Sequence, residues 1–229
     1  MQTAAIIEER IIFNSGGLRL AGVINYPQSE NPVRAILLCS PHPHFAGNMD
    51  NNIIAELAKY LARDSVALQF DYRGVGDSQI DLPDGLSVFD YWDNIEESKN
   101  YNDAIHDVQS AGDELSRIAG NLPLIIIGYS FGAATAFISG RKNNAVKQMI
   151  GIAPPLTKIN FDFMTGCAKP VLVIFGEEDF LYSPDELERF GNITCPSAEI
   201  ELLDGHDHFL RGGEKIVAEK VYSFICNNI

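Results

Sequence analysis

Two β-like runs open the chain, at residues 6–13 and 18–26, joined by Asn14-Ser15-Gly16-Gly17. Glycine tolerates the positive φ that a tight reversal requires, so this joint predicts a hairpin. The pattern then changes. Residues 35–39 (AILLC), 66–70 (VALQF), 124–127 (LIII), 148–152 (QMIGI) and 171–175 (VLVIF) are short and mostly apolar. Such runs suit strands buried on both faces, as in a parallel sheet. Between them lie helix-length segments at 51–63, 98–118, 131–141 and 184–190, and a last strand at 199–203 precedes a helix at 213–226. Strand–helix alternation of this kind implies right-handed βαβ crossovers and a three-layer α/β fold. The predicted sheet is mostly parallel, with the N-terminal hairpin adding antiparallel strands at one edge. No repeat or Pro/Gly/Ser-rich linker divides the chain, so one domain over residues 1–229 is expected.

Charge changes this picture in one place. The 229 residues carry 17 Lys+Arg against 31 Asp+Glu, a formal net charge of −14. Residues 77–114 hold eleven of those acids against the single Lys99, together with Phe89, Tyr91 and the only tryptophan, Trp92. A solvated loop and helix face anchored by aromatics accounts for this segment; a short acidic aromatic lid over a pocket, at about 79–100, is the alternative. An acidic chain has no basic excess to displace counterions from phosphates, which argues against nucleic-acid binding and against docking on anionic membranes. The first residues lack the basic and apolar regions of a signal peptide, and no apolar run approaches the ~20 residues needed to span a bilayer. The four cysteines, Cys39, Cys167, Cys195 and Cys226, are widely spaced, with no metal-ligand pattern. A cytoplasmic protein without metal or cofactor is the expectation.

Gly128-Tyr129-Ser130-Phe131-Gly132 carries the strongest chemical signal. It follows an apolar strand and precedes an alanine-rich helix, the setting of a G-x-S-x-G nucleophile elbow. There the serine projects from a sharp turn, and the following helix aims N–H groups at a developing oxyanion. A serine hydroxyl needs a base, and the base an orienting acid, in the chain order Ser, acid, His. Asp179 falls in the turn after the strand at 171–175, on the same sheet edge as Ser130; Glu177 and Glu178 are its rivals. His206 and His208 are the only histidines beyond Asp179. Their i, i+2 spacing beside two aspartates also fits a metal site, but no further ligand cluster supports one. The oxyanion hole needs a second N–H from the loop after the strand at 35–39. Pro41 and Pro43 have none to give, which leaves the His44 backbone, with that of Phe131, as the expected donors. Asp71-Tyr72-Arg73-Gly74-Val75-Gly76 has Gln79 where a dinucleotide fingerprint needs its third glycine, so it predicts a sharp turn with Arg73 paired to a carboxylate.

GYSFG, DYRGVGDS at 71–78, GEEDFL at 176–181 and GHDHF at 205–209 together make the chain resemble the α/β-hydrolase superfamily from about Leu18 to its end. The loop SPHPHFAGNMDN at 40–51 resembles the HPHP-x-x-G-G-x-M-D-N loop of small, lidless bacterial hydrolases, departing from it at Ala46. The resemblance implies Ser130 as nucleophile, Asp179 as acid and His208 as base, with Phe209 anchoring the base's loop. It also implies no separate cap, since only about 17 residues separate the strands where caps are inserted. The expected activity is serine hydrolysis of an ester or related acyl bond on a small-molecule substrate. Acyl transfer, thioester or peptide cleavage, and a non-catalytic binding module are the alternatives. The acidic segment predicts a negative rim that disfavours anionic substrates.

Overall fold

A computed structural model describes residues 5–228 apart from Glu30, Ala46 and Ser197; the departure at Ala46 therefore lies outside the described residues. Strands β1 (Ile6–Ser15) and β2 (Leu18–Pro27) form the hairpin, turning at Gly16 and Gly17, both at positive φ. Then follow β3 (Arg34–Cys39), α1 (Asn52–Leu61), β4 (Ser65–Phe70), α2 (Val88–Ser98), α3 (Asn102–Ala119), β5 (Leu124–Tyr129), α4 (Phe131–Gly140), β6 (Val146–Ile152), β7 (Val171–Gly176), α5 (Pro184–Arg189), β8 (Ala198–Leu203) and α6 (Glu214–Asn227). The sheet order is β1-β2-β4-β3-β5-β6-β7-β8. Only the β1–β2 and β2–β4 pairings are antiparallel.

Side-chain alternation along the buried strands feeds two apolar layers. Leu37, Leu124 and Ile126 face one layer with α3 and α4. Ile36, Leu38, Ile125 and Ile127 face the other, where α1 and α6 pack against each other and the sheet. The central strands β3, β4, β5 and β7 are buried along their whole length, which is why their sequences lack polar alternation.

The sequence pattern misses one helix. α2 is separate from α3, and only Trp92 and Ile95 of its side chains are buried. Val88, Trp92 and Ile95 do fall at helical spacing, but the acids around them make the stretch read as a solvated loop; its start is well specified. Ser87 and Asp90 form a reciprocal capping box, with the Asp90 N–H donating to Ser87 Oγ at 3.1 Å and the Ser87 N–H to Asp90 Oδ2 at 3.0 Å. Arg73 meets two carboxylates of α3, the exposed Asp103 at 2.9 Å and the buried Asp107. For Asp107 the ties are several. The Asp107 carboxylate takes bonds from Arg73 Nη2 (2.7 Å), Arg73 Nε (3.0 Å) and Ser15 Oγ (2.8 Å), tying the β4 turn and the hairpin to α3.

Candidate active site

Ser130 sits between the end of β5 and the start of α4, at φ 54° and ψ −118°. A non-glycine residue there carries backbone strain of roughly 1–3 kcal/mol, which persists only where its surroundings over-determine it. They do so here. The Ser130 N–H donates to the Ile152 carbonyl of β6 at 2.7 Å. A side chain at Gly128 would stand 2.0 Å from the Gly132 oxygen, and one at Gly132 2.2 Å from the Cys39 oxygen of β3. Both glycines are therefore steric requirements of the turn, and Oγ is left facing the sheet's carboxyl edge.

His208 comes to that edge from the loop after β8. Its Nε2 lies 3.0 Å from Ser130 Oγ, and its Nδ1 lies 3.0 and 2.9 Å from the two Asp179 oxygens. Asp179 follows β7 and its side chain is fully buried; one oxygen also accepts the Leu181 N–H at 2.8 Å. Its rivals Glu177 and Glu178 are exposed. A carboxylate only accepts, so Nδ1 carries the imidazole proton and Nε2 presents its lone pair to the serine. His206 is turned elsewhere. Its Nδ1 lies 2.8 Å from the Asp204 carbonyl and its ring packs on Gly213. Among the described residues no three His, Cys, Asp or Glu side chains gather as a metal-ligand set. The anchor of this loop differs from expectation. Leu210 is fully buried and Tyr129 Oη donates to the His208 carbonyl at 2.9 Å, whereas Phe209 is only half-buried and lines the cavity.

The loop after β3 turns back on itself tightly. A side chain at Gly47 would fall 1.9 Å from the Pro41 oxygen, so only glycine closes it. The Phe45 N–H donates to the His42 carbonyl at 2.9 Å. The His44 N–H, one of the two expected oxyanion donors, donates to His42 Nδ1 across a long 3.3 Å. His42 is buried edge-on among Trp92, Phe131 and His44. Burial, aided by the neighbouring His44, pushes its pKa down to about 4, so it is neutral with its lone pair on Nδ1. Its Nε2 has no hydrogen-bond partner among the described residues. The His44 ring stacks on Phe89 of α2 at 4.1 Å, with Nε2 3.1 Å from the Phe89 carbonyl. The other expected donor, Phe131, opens α4, where no carbonyl a turn earlier exists to take its N–H. Its ring is wedged against His42 and Tyr101, with centroids 5.2 and 5.3 Å away.

Ser130 and His208 open onto a cavity of about 740 Å³. Its apolar surface comes from Phe131, Ile159, Phe180, Leu181 and Phe209, with Phe45 at the mouth. The expected negative rim is not found among the described residues. Of the eleven acids in residues 77–114 only Glu96 lines the cavity, and Lys99 neutralises it across 2.6 Å. The other acids of α2, Asp90, Asp93 and Glu97, do not line it, because α2 turns Trp92 and Ile95 toward the core, and the remaining seven lie before α2 or on α3. The remaining charged groups lining the cavity are Lys158 and Arg211, which the pattern of the sequence does not single out.

A three-layer sheet with a serine elbow, and a histidine and an aspartate meeting at its carboxyl edge, defines an α/β hydrolase. The sequence profile of the family described as serine aminopeptidase S33 matches residues 47–169, which include Ser130 and end before Asp179 and His208. The chain belongs to this family and is an α/β serine hydrolase. It is 26% identical over 216 residues to the uncharacterized protein RP471 of Rickettsia prowazekii (strain Madrid E), covering 88% of this chain and 82% of that protein. Among solved structures, an α/β serine hydrolase homologue from Coxiella burnetii superposes with a TM-score of 0.80 at 23% identity, over 96% of this chain and 97% of that one. XC6422 from Xanthomonas campestris, described as an α/β serine hydrolase without lid, superposes with a TM-score of 0.79 at 17% identity, over 96% and 94% of the two chains. Both likenesses show the fold. Among the described residues, no helix is long and apolar enough to cross a membrane.

Proposed function

We propose that the protein cleaves carboxylic esters of small molecules through an acyl-enzyme intermediate. The observation that carries this reading is the continuous contact Ser130 Oγ–His208 Nε2, His208 Nδ1–Asp179. His208 takes the Ser130 proton as Oγ adds to the ester carbonyl, and Asp179 holds the resulting imidazolium. The oxyanion is held by the Phe131 N–H and by that of His44, which exchanges its long bond to His42 for a stronger one to a full negative charge. Collapse expels the alcohol, which takes the proton from His208. Water then adds to the acyl-enzyme with His208 again as base, releasing the acid and restoring Ser130. α2 serves as a fixed wall, because Trp92 and Phe89 tie it to the loop of His42 and His44.

The family's description raises removal of N-terminal residues from peptides as a second reading. Such a substrate presents an ammonium group beside the scissile bond, and a cavity recognises it with an unpaired carboxylate. Among the described residues the one carboxylate lining this cavity is Glu96, already paired with Lys99, so the ester reading is preferred. The test is labelling by a fluorophosphonate, with the adduct mapped by mass spectrometry, followed by turnover of 4-nitrophenyl esters and aminoacyl 4-nitroanilides. Adduct at Ser130 with ester turnover is expected. Turnover of the anilides above the esters would favour the peptidase reading, and no adduct would remove both.

A further inference from the structure

We infer that the substrate carries a carboxylate or another anionic group remote from its scissile ester, held at the cavity mouth by Lys158 and Arg211. This deepens the ester reading and rests on it. The starting point is a mismatch. Acids outnumber bases by 31 to 17 in the chain, yet around the cavity the balance reverses. Glu96 and Lys99 cancel as a contact pair, while Lys158 and Arg211 form no ion pair with any described residue. The acids behind the wall at Tyr129 are engaged, Asp179 by His208, Glu214 by Asn52 at 2.6 Å and Asp207 by the Phe209 N–H at 2.9 Å, so Lys158 and Arg211 are the unpaired charges that line the cavity. Salt screens charges beyond about 8–10 Å, so these near groups outweigh the distant surface acids.

Their placement is also specific. Lys158 precedes Ile159 on the segment after β6, and Arg211 follows the His208 loop after β8. Both therefore come from the half of the sheet beyond β5, whereas α2 follows β4 in the other half. The Arg211 guanidinium lies over the Phe209 ring at 5.3 Å, and that ring lies 5.8 Å from the His208 imidazole. Phe209 thus holds the guanidinium one aromatic ring away from the reacting centre. A planar guanidinium fixed in this way presents paired N–H donors that match a carboxylate. The chemistry that fits is an acyl chain crossing the apolar surface of Phe180 and Phe209 and ending in an anion.

The test compares the 4-nitrophenyl monoester of adipic acid with 4-nitrophenyl hexanoate, the same acyl length with and without a terminal carboxylate. The expected kcat/KM ratio at about 0.1 M ionic strength, where the distant acids are screened, favours the adipate ester by about five- to tenfold, as two partly exposed charge contacts allow. It should decline toward one in about 0.5 M salt, where screening is strong, and in the Lys158→Gln/Arg211→Gln double variant. Fluorophosphonate labelling of Ser130, run in parallel, separates the failures. If Ser130 is labelled and esters turn over but the ratio is one or below, or is unmoved by the double variant, the inference is overturned and the ester reading stands. If neither label nor turnover appears, both fall together.

Discussion

Asp179→Asn isolates the chemistry from the fold, because it exchanges one oxygen for an NH2 group of nearly the same size. The Leu181 N–H donates to Asp179 Oδ1 at 2.8 Å, so the asparagine keeps its carbonyl oxygen there and turns its NH2 group to the Oδ2 position. That position lies 2.9 Å from His208 Nδ1, with the retained oxygen at 3.0 Å already accepting from Leu181, and an NH2 group and an Nδ1–H cannot face each other at this distance. The imidazole proton therefore moves to Nε2, where it points at the Ser130 hydroxyl in place of a lone pair. The serine loses its base and the imidazolium its counter-charge. A serine hydrolase deprived of the correct tautomer in this way loses roughly 10⁴ in kcat, equivalent to about 5–6 kcal/mol of transition-state stabilisation. The assay is kcat for 4-nitrophenyl hexanoate near neutral pH, with urea unfolding as the control for the fold. The midpoint should move little, since the substituted side chain retains the bond from Leu181. A variant that unfolds like the wild type and turns over within tenfold of it would refute the tautomer argument and, with it, the role given to Asp179.

Four further outcomes follow from the same structure. Ser130→Ala should lower kcat by about 10⁴-fold or more, because the three groups act as a unit, while Ser130→Gly, equally inactive, should be about 1–2 kcal/mol more stable than the alanine variant in urea, because glycine accepts φ 54° without strain. His208→Ala should abolish ester turnover and His206→Ala should keep at least a tenth of it, measured on one substrate. Asp107→Ala removes the buried one of the two carboxylates of Arg73, leaving Asp103 at 2.9 Å, and strips Ser15 Oγ and the Arg73 N–H of their acceptor; it should cost about 1–3 kcal/mol in urea unfolding, with calorimetry showing a lower Tm. Burial raises Asp71, whose Oδ1 accepts the Met49 N–H at 2.7 Å, to about 6. The folded state then binds this proton more tightly than the unfolded chain, so wild-type stability from this group is full below about pH 4 and lost as pH rises through about 6. The stability of Asp71→Asn relative to wild type should accordingly grow by about 2–3 kcal/mol between about pH 4 and pH 7 in urea titrations.

The parts of the molecule legible in the sequence are those where local pattern and tertiary role coincide. β3, β5 and β7 are continuous apolar runs because both faces are covered, and the elbow is written in five consecutive residues because two glycines and a serine must share one turn. Topology alone puts Asp179 and His208 at the right edge. α2 escapes notice because its few apolar residues, though at helical spacing, stand among acids that need no burial, and its capping box begins within a stretch that reads as loop. The acidic rim fails for a related reason. Charge counted along a segment says nothing about direction, and α2 rotates all but one of its acids away from the cavity.

What the sequence hides most completely is the cation pair at the mouth. Lys158 and Arg211 lie 53 positions apart and belong to no motif; they meet at one cavity only because β6 and β8 flank β7 and end at the same edge. The same ordering brings Asp179 from β7 to His208. Reagents for the chemistry and determinants of the substrate therefore reach Ser130 by one device, loops leaving adjacent parallel strands at their carboxyl ends. The two sets differ in how firmly they are held. Asp179 and His208 are buried and cross-bonded, whereas Lys158 and Arg211 are exposed and free to change without disturbing the fold. A site built in this way keeps its reaction while its preference among substrates shifts with two surface residues, and that separation is what the paired adipate and hexanoate esters measure.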